Sequence, residues 1–333
     1  MNPLAQRPFG AAPVDVVLDV DTGVDDALAL LFAVRHPGLR VRAVTCVAGN
    51  AGLEQVVRNT LTVLEHTGRT DIPVAAGADR PLIAAPRHAG HVHGGDGLAD
   101  LELPPPTHTA DDRHAVELLR DVLGSAPNPV TVIALAPLTN LALLLRTYPG
   151  VAGRIERIMV MGGSASAGNA SPVAEFNTWH DPEAAAIVFG AGVPVTMYGL
   201  DVFYQVGVDQ VTCGKLAAHE DPGVCLAGRL LCHQIRVGTG EPRVPAGSGL
   251  LGDAGAVCAV ADPGGLVTEH LPVQVELAPG ISRGQTVVDR RALPGEQEIH
   301  GTPVAVPRVD VAWQVDARRY RDLFLTTLLD GTA

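Results

Sequence analysis

Four aspartates stand within eight residues in Asp19-Val20-Asp21-Thr22-Gly23-Val24-Asp25-Asp26. The helix-dipole and turn chemistry of such a stretch accounts for one or two of them, because negative charge is tolerated at a helix N-terminus. It does not account for four, since like charges a few ångströms apart in a half-buried site repel strongly. A bound cation offsets that repulsion, and hard oxygen ligands select Ca²⁺ or Mg²⁺ over zinc or copper. The plain alternative is a solvated acidic turn that caps a helix.

The elements around the cluster must place it at a strand end. Val14 to Val20 reads as a buried parallel strand, Gly23 as a tight turn, and Ala27 to Val34 as a helix packing back on the strand. Strands at Leu39 to Val47, Ile72 to Ala76, Val130 to Leu135, Ile155 to Met161 and Val193 to Leu200 alternate with helices. The helices are Leu53 to Thr67, Asp112 to Leu123 (capped by Asp111-Asp112), one beginning near Asn140, and Pro182 to Phe189. Two helices follow between Asp209 and Val237, and Asp253 opens an apolar helix, Ala254 to Ala261. The end reads as strands at Leu271 to Leu277, Gln285 to Val288 and Pro303 to Val309, then a helix from Asp316 to Leu329. This alternation predicts an α/β protein with an open, mostly parallel, Rossmann-like sheet and helices on both faces. No G-x-G-x-x-G follows the first strand, so a dinucleotide site is not supported.

Two stretches break the pattern. Residues 77 to 109 are rich in Pro, Gly and His and contain His91-Val92-His93, and Gly238 to Gly249 is rich in Gly and Pro. Irregular segments of this length read as lids over a site. The two histidines lack a third metal ligand, so hydrogen bonding to a substrate or to the loop is the expectation.

Composition narrows the partners. The formal charge is −12 and Lys215 is the only lysine, which argues against nucleic acid or an anionic membrane. Hydrophobic residues make up 47% and aromatics only 4%, so the core must rest on Val, Leu, Ala and Ile. The five cysteines, Cys46, Cys213, Cys225, Cys232 and Cys258, form no C-x-x-C pair and read as free thiols of a cytoplasmic protein. Residues 1–13 read as a flexible N-terminus without a signal-peptide core, and 14–333 as a single domain.

Taken together, these motifs resemble the nucleoside hydrolases, the inosine–uridine-preferring N-ribohydrolases. The resemblance rests on the aspartate signature, Val47-Ala48-Gly49-Asn50, His91-Val92-His93-Gly94, and Ala136-Pro137-Leu138-Thr139-Asn140. It continues through Met161-Gly162-Gly163, Gly168-Asn169-Ala170, Glu175-Phe176-Asn177, the helix start at Asp181 and Asp253 before its apolar helix. It implies Ca²⁺ held by Asp21, Asp26, Asp253 and the Leu135 carbonyl, with Asp21 as general base toward a metal-bound water. Asp25, Asn50 and Asn177 would hold the 2′-hydroxyl side of a ribonucleoside, Asn169 and Glu175 the 5′-hydroxyl, and Asp253 the 3′-hydroxyl, with Met161 under the ribose. Asn177 is also counted with the catalytic residues, and a homodimer or homotetramer is expected.

One position departs from the family pattern. Gly252 stands where many members carry a histidine or aromatic that protonates or stacks on the leaving base. His93 and His233 are the rival donors, and Gly252→His is expected to raise turnover if the pocket admits the ring. A non-catalytic or altered-specificity nucleoside-binding protein on the same fold is the alternative. A Mg²⁺-dependent phosphohydrolase fits less well, because Gly23 stands where that chemistry needs Ser or Thr.

Overall fold

The computed structural model describes residues 12–238, 242–291 and 306–330. The N-terminus expected to be flexible therefore lies, but for residues 12 and 13, outside the described residues. The first unit is β1 (Val14–Val20), a turn, and α1 (Val24–Arg35). The helix starts earlier than its apolar pattern suggests. Its third residue, Asp26, accepts the Gly23 backbone N–H at 3.0 Å and so closes the first turn. Then come β2 (Leu39–Cys46), α2 (Leu53–Glu65), β3 (Val74–Ala76), the short α3 (Gly90–His93), α4 (Ala115–Ser125), β4 (Val130–Ala134) and α5 (Thr139–Thr147). They are followed by β5 (Ile155–Met161), α6 (Phe176–His180), α7 (Pro182–Phe189), β6 (Val195–Tyr198) and α8 (Leu200–Phe203).

Next are β7 (Gly207–Asp209), α9 (Gln210–Ala217), α10 (Pro222–Val237), β8 (Ser248–Leu250) and α11 (Asp253–Ala261). The last described elements are β9 (Leu266–Val275), β10 (Thr286–Val288), β11 (Arg308–Val315) and α12 (Ala317–Asp330). The main sheet runs β10-β9-β11-β6-β5-β4-β1-β2-β3 and is parallel except where β9 pairs with β10 and β11. On β1, Val16, Leu18 and Val20 face one apolar layer and Val17 the other, the alternation of a strand buried on both faces. Helices α1, α2, α10, α11 and α12 contribute to the first layer, and α4, α5 and α7 to the second. Chain order reverses between β1 and β4, so the crevice beyond their carboxyl ends is the topological switch point where such sheets take ligands.

Three sequence expectations change. The helix α4 is capped by His114, whose Nδ1 accepts the Val116 N–H, while Asp111 is drawn into a bridge beside β3 and an ion pair with Arg113. The strand read at Pro303 to Val309 is β11, shifted to 308–315, and residues 303–305 lie outside the described residues. The Gly- and Pro-rich break runs into β8, which pairs antiparallel with β7, and residues 239–241 lie outside the described residues. Among the described residues, no helix is long and apolar enough to cross a membrane.

Candidate active site

Every element named above that ends at the switch point delivers a polar group. Asp21 follows β1, Asn50 follows β2, Leu135 follows β4 and Met161 ends β5. Asp21 is 1% exposed, and its Oδ2 accepts the Asn50 backbone N–H at 2.7 Å while Oδ1 accepts Asn50 Nδ2 at 3.2 Å. That fit requires Gly49, whose Cβ, were there one, would lie 2.0 Å from Asp21 Oδ2. Asp26 Oδ2 takes a further bond from Asn50 Nδ2 at 3.2 Å, and its Oδ1 accepts the Asp21 N–H at 3.3 Å. Asp253 arrives from the far end of the chain on α11, which packs against α1 and is apolar on all sides.

Oxygens of Asp25, Asp26 and Asp253 all lie within 4.8 Å of one another. Asp25 Oδ1 is buried and has no hydrogen-bond partner in the described structure. His93 Nδ1 is 3.7 Å away but already accepts the Val24 N–H at 3.1 Å, so it has no proton to give Asp25. A buried carboxylate oxygen without a partner beside two further carboxylates is a donor set suited to a hard divalent cation. The sequence reading counts Asp21, Asp25, Asp26 and Asp253 as the charge cluster, and the resemblance names Asp21, Asp26 and Asp253 as the carboxylate ligands. In the structure Asp25 converges with Asp26 and Asp253, and Asp21 is tied to Asn50.

Burial is the main force on these groups. It raises the Asp21 and Asp253 carboxyls well above the usual range and Asp26 to about 7, and the neighbouring aspartates push the same way. A carboxyl whose folded pKa is raised favours folding when protonated, so this stability is present at low pH and is lost as pH climbs from about 4 to about 7. Cation-free protein is therefore expected to melt at a lower temperature at about pH 8 than at about pH 5. Saturating Ca²⁺ should raise the midpoint most at the higher pH, because an ion that binds only the folded state adds stability by mass action. Thermal melts of dialysed protein across that range check this; a calcium increment that is absent or shrinks with pH would contradict it.

The rim is built around α6. Glu175 caps that helix, Oε1 accepting the Asn177 N–H at 2.9 Å and Oε2 the N–H groups of Gly163 (3.0 Å) and Thr178 (3.1 Å). Burial still pushes its carboxyl up to about 7. Asn177 Nδ2 donates to the carbonyls of Leu135 (2.9 Å) and Met161 (3.1 Å), linking two strand ends. Asn169 is exposed, and its Oδ1 accepts the Phe176 N–H at 2.9 Å. His233 lies on α10 within 3.4 Å of the Val92 carbonyl through Nε2, and its Nδ1 faces Arg236 at 3.1 Å. Both its nitrogens are thus occupied, whereas His93 keeps Nε2 for another partner.

Sequence reasoning missed the support beneath the cluster. Asp19 is fully buried, and its Oδ1 accepts Thr45 Oγ1 at 2.6 Å and Asn140 Nδ2 at 2.8 Å. Asn140 also donates to the Cys46 carbonyl at 3.0 Å and accepts the Ala78 N–H at 2.9 Å, clamping three strand ends and the start of the long loop. The Ala-Pro-Leu-Thr-Asn motif was its signal.

Residues 16–322 match the family model of the inosine-uridine preferring nucleoside hydrolases. The chain belongs to this family. It is 37% identical to the inosine-uridine preferring nucleoside hydrolase of Leishmania major over 84% of this chain and 88% of that protein. It is equally 37% identical to the pyrimidine-specific ribonucleoside hydrolase RihA of Escherichia coli O8 (strain IAI1), over 94% of this chain and 97% of that one. Among solved structures, the plant nucleoside hydrolase PpNRh1 superposes with a TM-score of 0.87 at 30% identity, covering 95% of this chain and 99% of its own. The chain is thus a nucleoside hydrolase, with the α/β architecture of its relatives.

Within this hydrolase, the backbone at Gly252 settles one expectation. It has φ +55° and ψ −122°, and an added Cβ would lie 2.8 Å from Asp25 Cβ. A side chain there strains the backbone and collides with the cluster. Gly252→His is therefore expected to lower the melting temperature and turnover together, not to raise turnover. A stable variant with faster release of natural bases would contradict that.

Proposed function

We propose that this hydrolase cleaves the N-glycosidic bond of ribonucleosides, giving free base and ribose, in a calcium-dependent reaction with Asp21 as general base. The observation that carries the reading is the buried carboxylate cluster at the switch point, where Asp25 Oδ1 awaits a partner. Asp26 and Asp253, with Asp21 and the Leu135 carbonyl, would hold the ion, and the Asp25 carboxylate that converges with Asp26 and Asp253 would border it while facing the sugar. Bound there, Ca²⁺ supplies positive charge that acidifies water and orients the sugar hydroxyls.

The side chains do the rest. Asn50 fixes both oxygens of Asp21, so the carboxylate presents its remaining lone pairs to the attacking water and takes its proton. Asp25, the least buried of the cluster, accepts a ribose hydroxyl on the 2′ side, beside Asn50 and Asn177. Asp253 takes the 3′-hydroxyl, and Asn169 and Glu175 the 5′ end. As the bond to the base breaks, positive charge grows on the sugar, and the surrounding carboxylates stabilise it more than they stabilise the substrate. On the base side, the Val24 N–H bonded to His93 Nδ1 assigns the proton to Nε2, which would hydrogen-bond the departing base and stabilise the charge growing on it.

Residues 14–333 act as one catalytic unit in this reading, as a cytoplasmic homodimer or homotetramer. The five free cysteines agree with a reducing compartment, and sedimentation measures the assembly. The relatives' names divide between inosine-uridine and pyrimidine-specific activity, so uridine and inosine are both substrates to assay. The test is ribose release from inosine, uridine and a nitrophenyl riboside with Ca²⁺ present. Release from at least one natural nucleoside is expected. Tight nucleoside binding without release would favour the non-catalytic alternative instead.

A further inference from the structure

The space beside Gly252 is not left empty. The same added Cβ that meets Asp25 would lie 3.1 Å from Phe203 Cζ and 3.1 Å from Asp25 Oδ2. The tip of the Phe203 ring and the Asp25 carboxylate therefore flank one point beside the cluster. Phe203 ends α8, and the placement is fixed from both sides. The ribbon pairs Gly207 with Leu250, and the Leu251 N–H donates to the Val206 carbonyl at 3.0 Å, so the segment after Phe203 is tied to the segment before Gly252. Behind it the ring meets Tyr204 edge-on, with centroids 5.1 Å apart, and Tyr204 lies under the Arg243 guanidinium at 4.5 Å. Phe203 itself is only partly buried, in a chain with few aromatics.

We propose that Phe203 is the base-contacting residue of this hydrolase, an aromatic surface that fills the place a side chain at Gly252 cannot occupy. This rests on the reading of the site as a ribonucleoside site. With the ribose held by Asp25 and Asp253, the base must lie outside the carboxylates, and Phe203 is the ring beside that exit. A phenyl ring offers stacking and no proton. Phe203 therefore governs which bases bind, and it favours the two-ring purines because they cover more of it.

The test compares Phe203→Ala and Phe203→Leu with the parent enzyme, using KM and kcat for inosine and uridine and the inhibition constant of free ribose. Stacking of a base on an aromatic ring predicts that Phe203→Ala raises KM for inosine about tenfold, and that for uridine less. Phe203→Leu, which keeps apolar packing, should fall between, and ribose inhibition should not change in either variant. Unchanged KM values overturn the proposal. A rise in the ribose constant parallel to KM also overturns it, since that reports a packing role. If the parent enzyme releases ribose from no nucleoside, the functional reading fails first, a result separable from a Phe203 variant that works like the parent.

Discussion

Replacing His93 with Ala is expected to slow inosine and uridine about 10²-fold while leaving a nitrophenyl riboside unaffected, since losing a hydrogen-bond donor to developing charge typically costs about 10²–10³-fold. The site leaves no other donor among the positions considered from the sequence. Gly252 carries no side chain and tolerates none. Both nitrogens of His233 are engaged, by the Val92 carbonyl and Arg236. His93 alone combines proximity to Asp25 with an uncommitted Nε2. Burial lowers its pKa, so the ring is neutral near pH 7 and acts by a hydrogen bond from Nε2–H to the departing base, without giving up that proton. Nitrophenolate leaves without a proton, which makes that substrate an internal control for damage to the ribose side. Equal slowing of all three substrates would show that His93 merely holds the Val24 turn. No slowing of any would remove it from the reaction.

Much of this architecture is written locally in the chain. The strand before Asp21 is apolar and β-branched, its helix follows at once, and the repeated alternation leaves little choice but a parallel sheet. The carboxylates were legible for the same reason, since repulsion makes them conspicuous. What was not legible depends on long-range geometry. Asp19 and Asn140 meet across 121 positions in sequence, and no spacing rule pairs them. The capping role of Glu175 was hidden because Glu is not among the usual N-cap residues, and its third backbone donor, the Gly163 N–H, arrives only when the end of β5 packs against α6. Position 252 reads in sequence as a missing histidine. Only the backbone angle and the nearness of Asp25 show that glycine is required there, and that Phe203 stands in the space. The short α8 and the β7–β8 ribbon were missed because segments of three or four residues carry no periodicity to read.

The second large effect concerns Asp21. Asp21→Asn keeps one acceptor oxygen, enough for the Asn50 backbone N–H but not also for Asn50 Nδ2, and it cannot take a proton, while Asp25, Asp26 and Asp253 remain to hold the charge. The variant should fold, bind Ca²⁺ and fail in the chemical step, with kcat reduced ~10²–10⁴-fold and nucleoside affinity little changed. Asp21→Ala loses the Asn50 bonds as well and is expected to weaken the ion too. The most direct test of the whole account is therefore a paired measurement on Asp21→Asn: calcium bound per chain, and kcat for inosine at saturating Ca²⁺. Calcium still bound at one ion per chain, with turnover lower by at least about 10²-fold, is the expected result. Near-parent turnover with the ion bound would show that Asp21 is not the base.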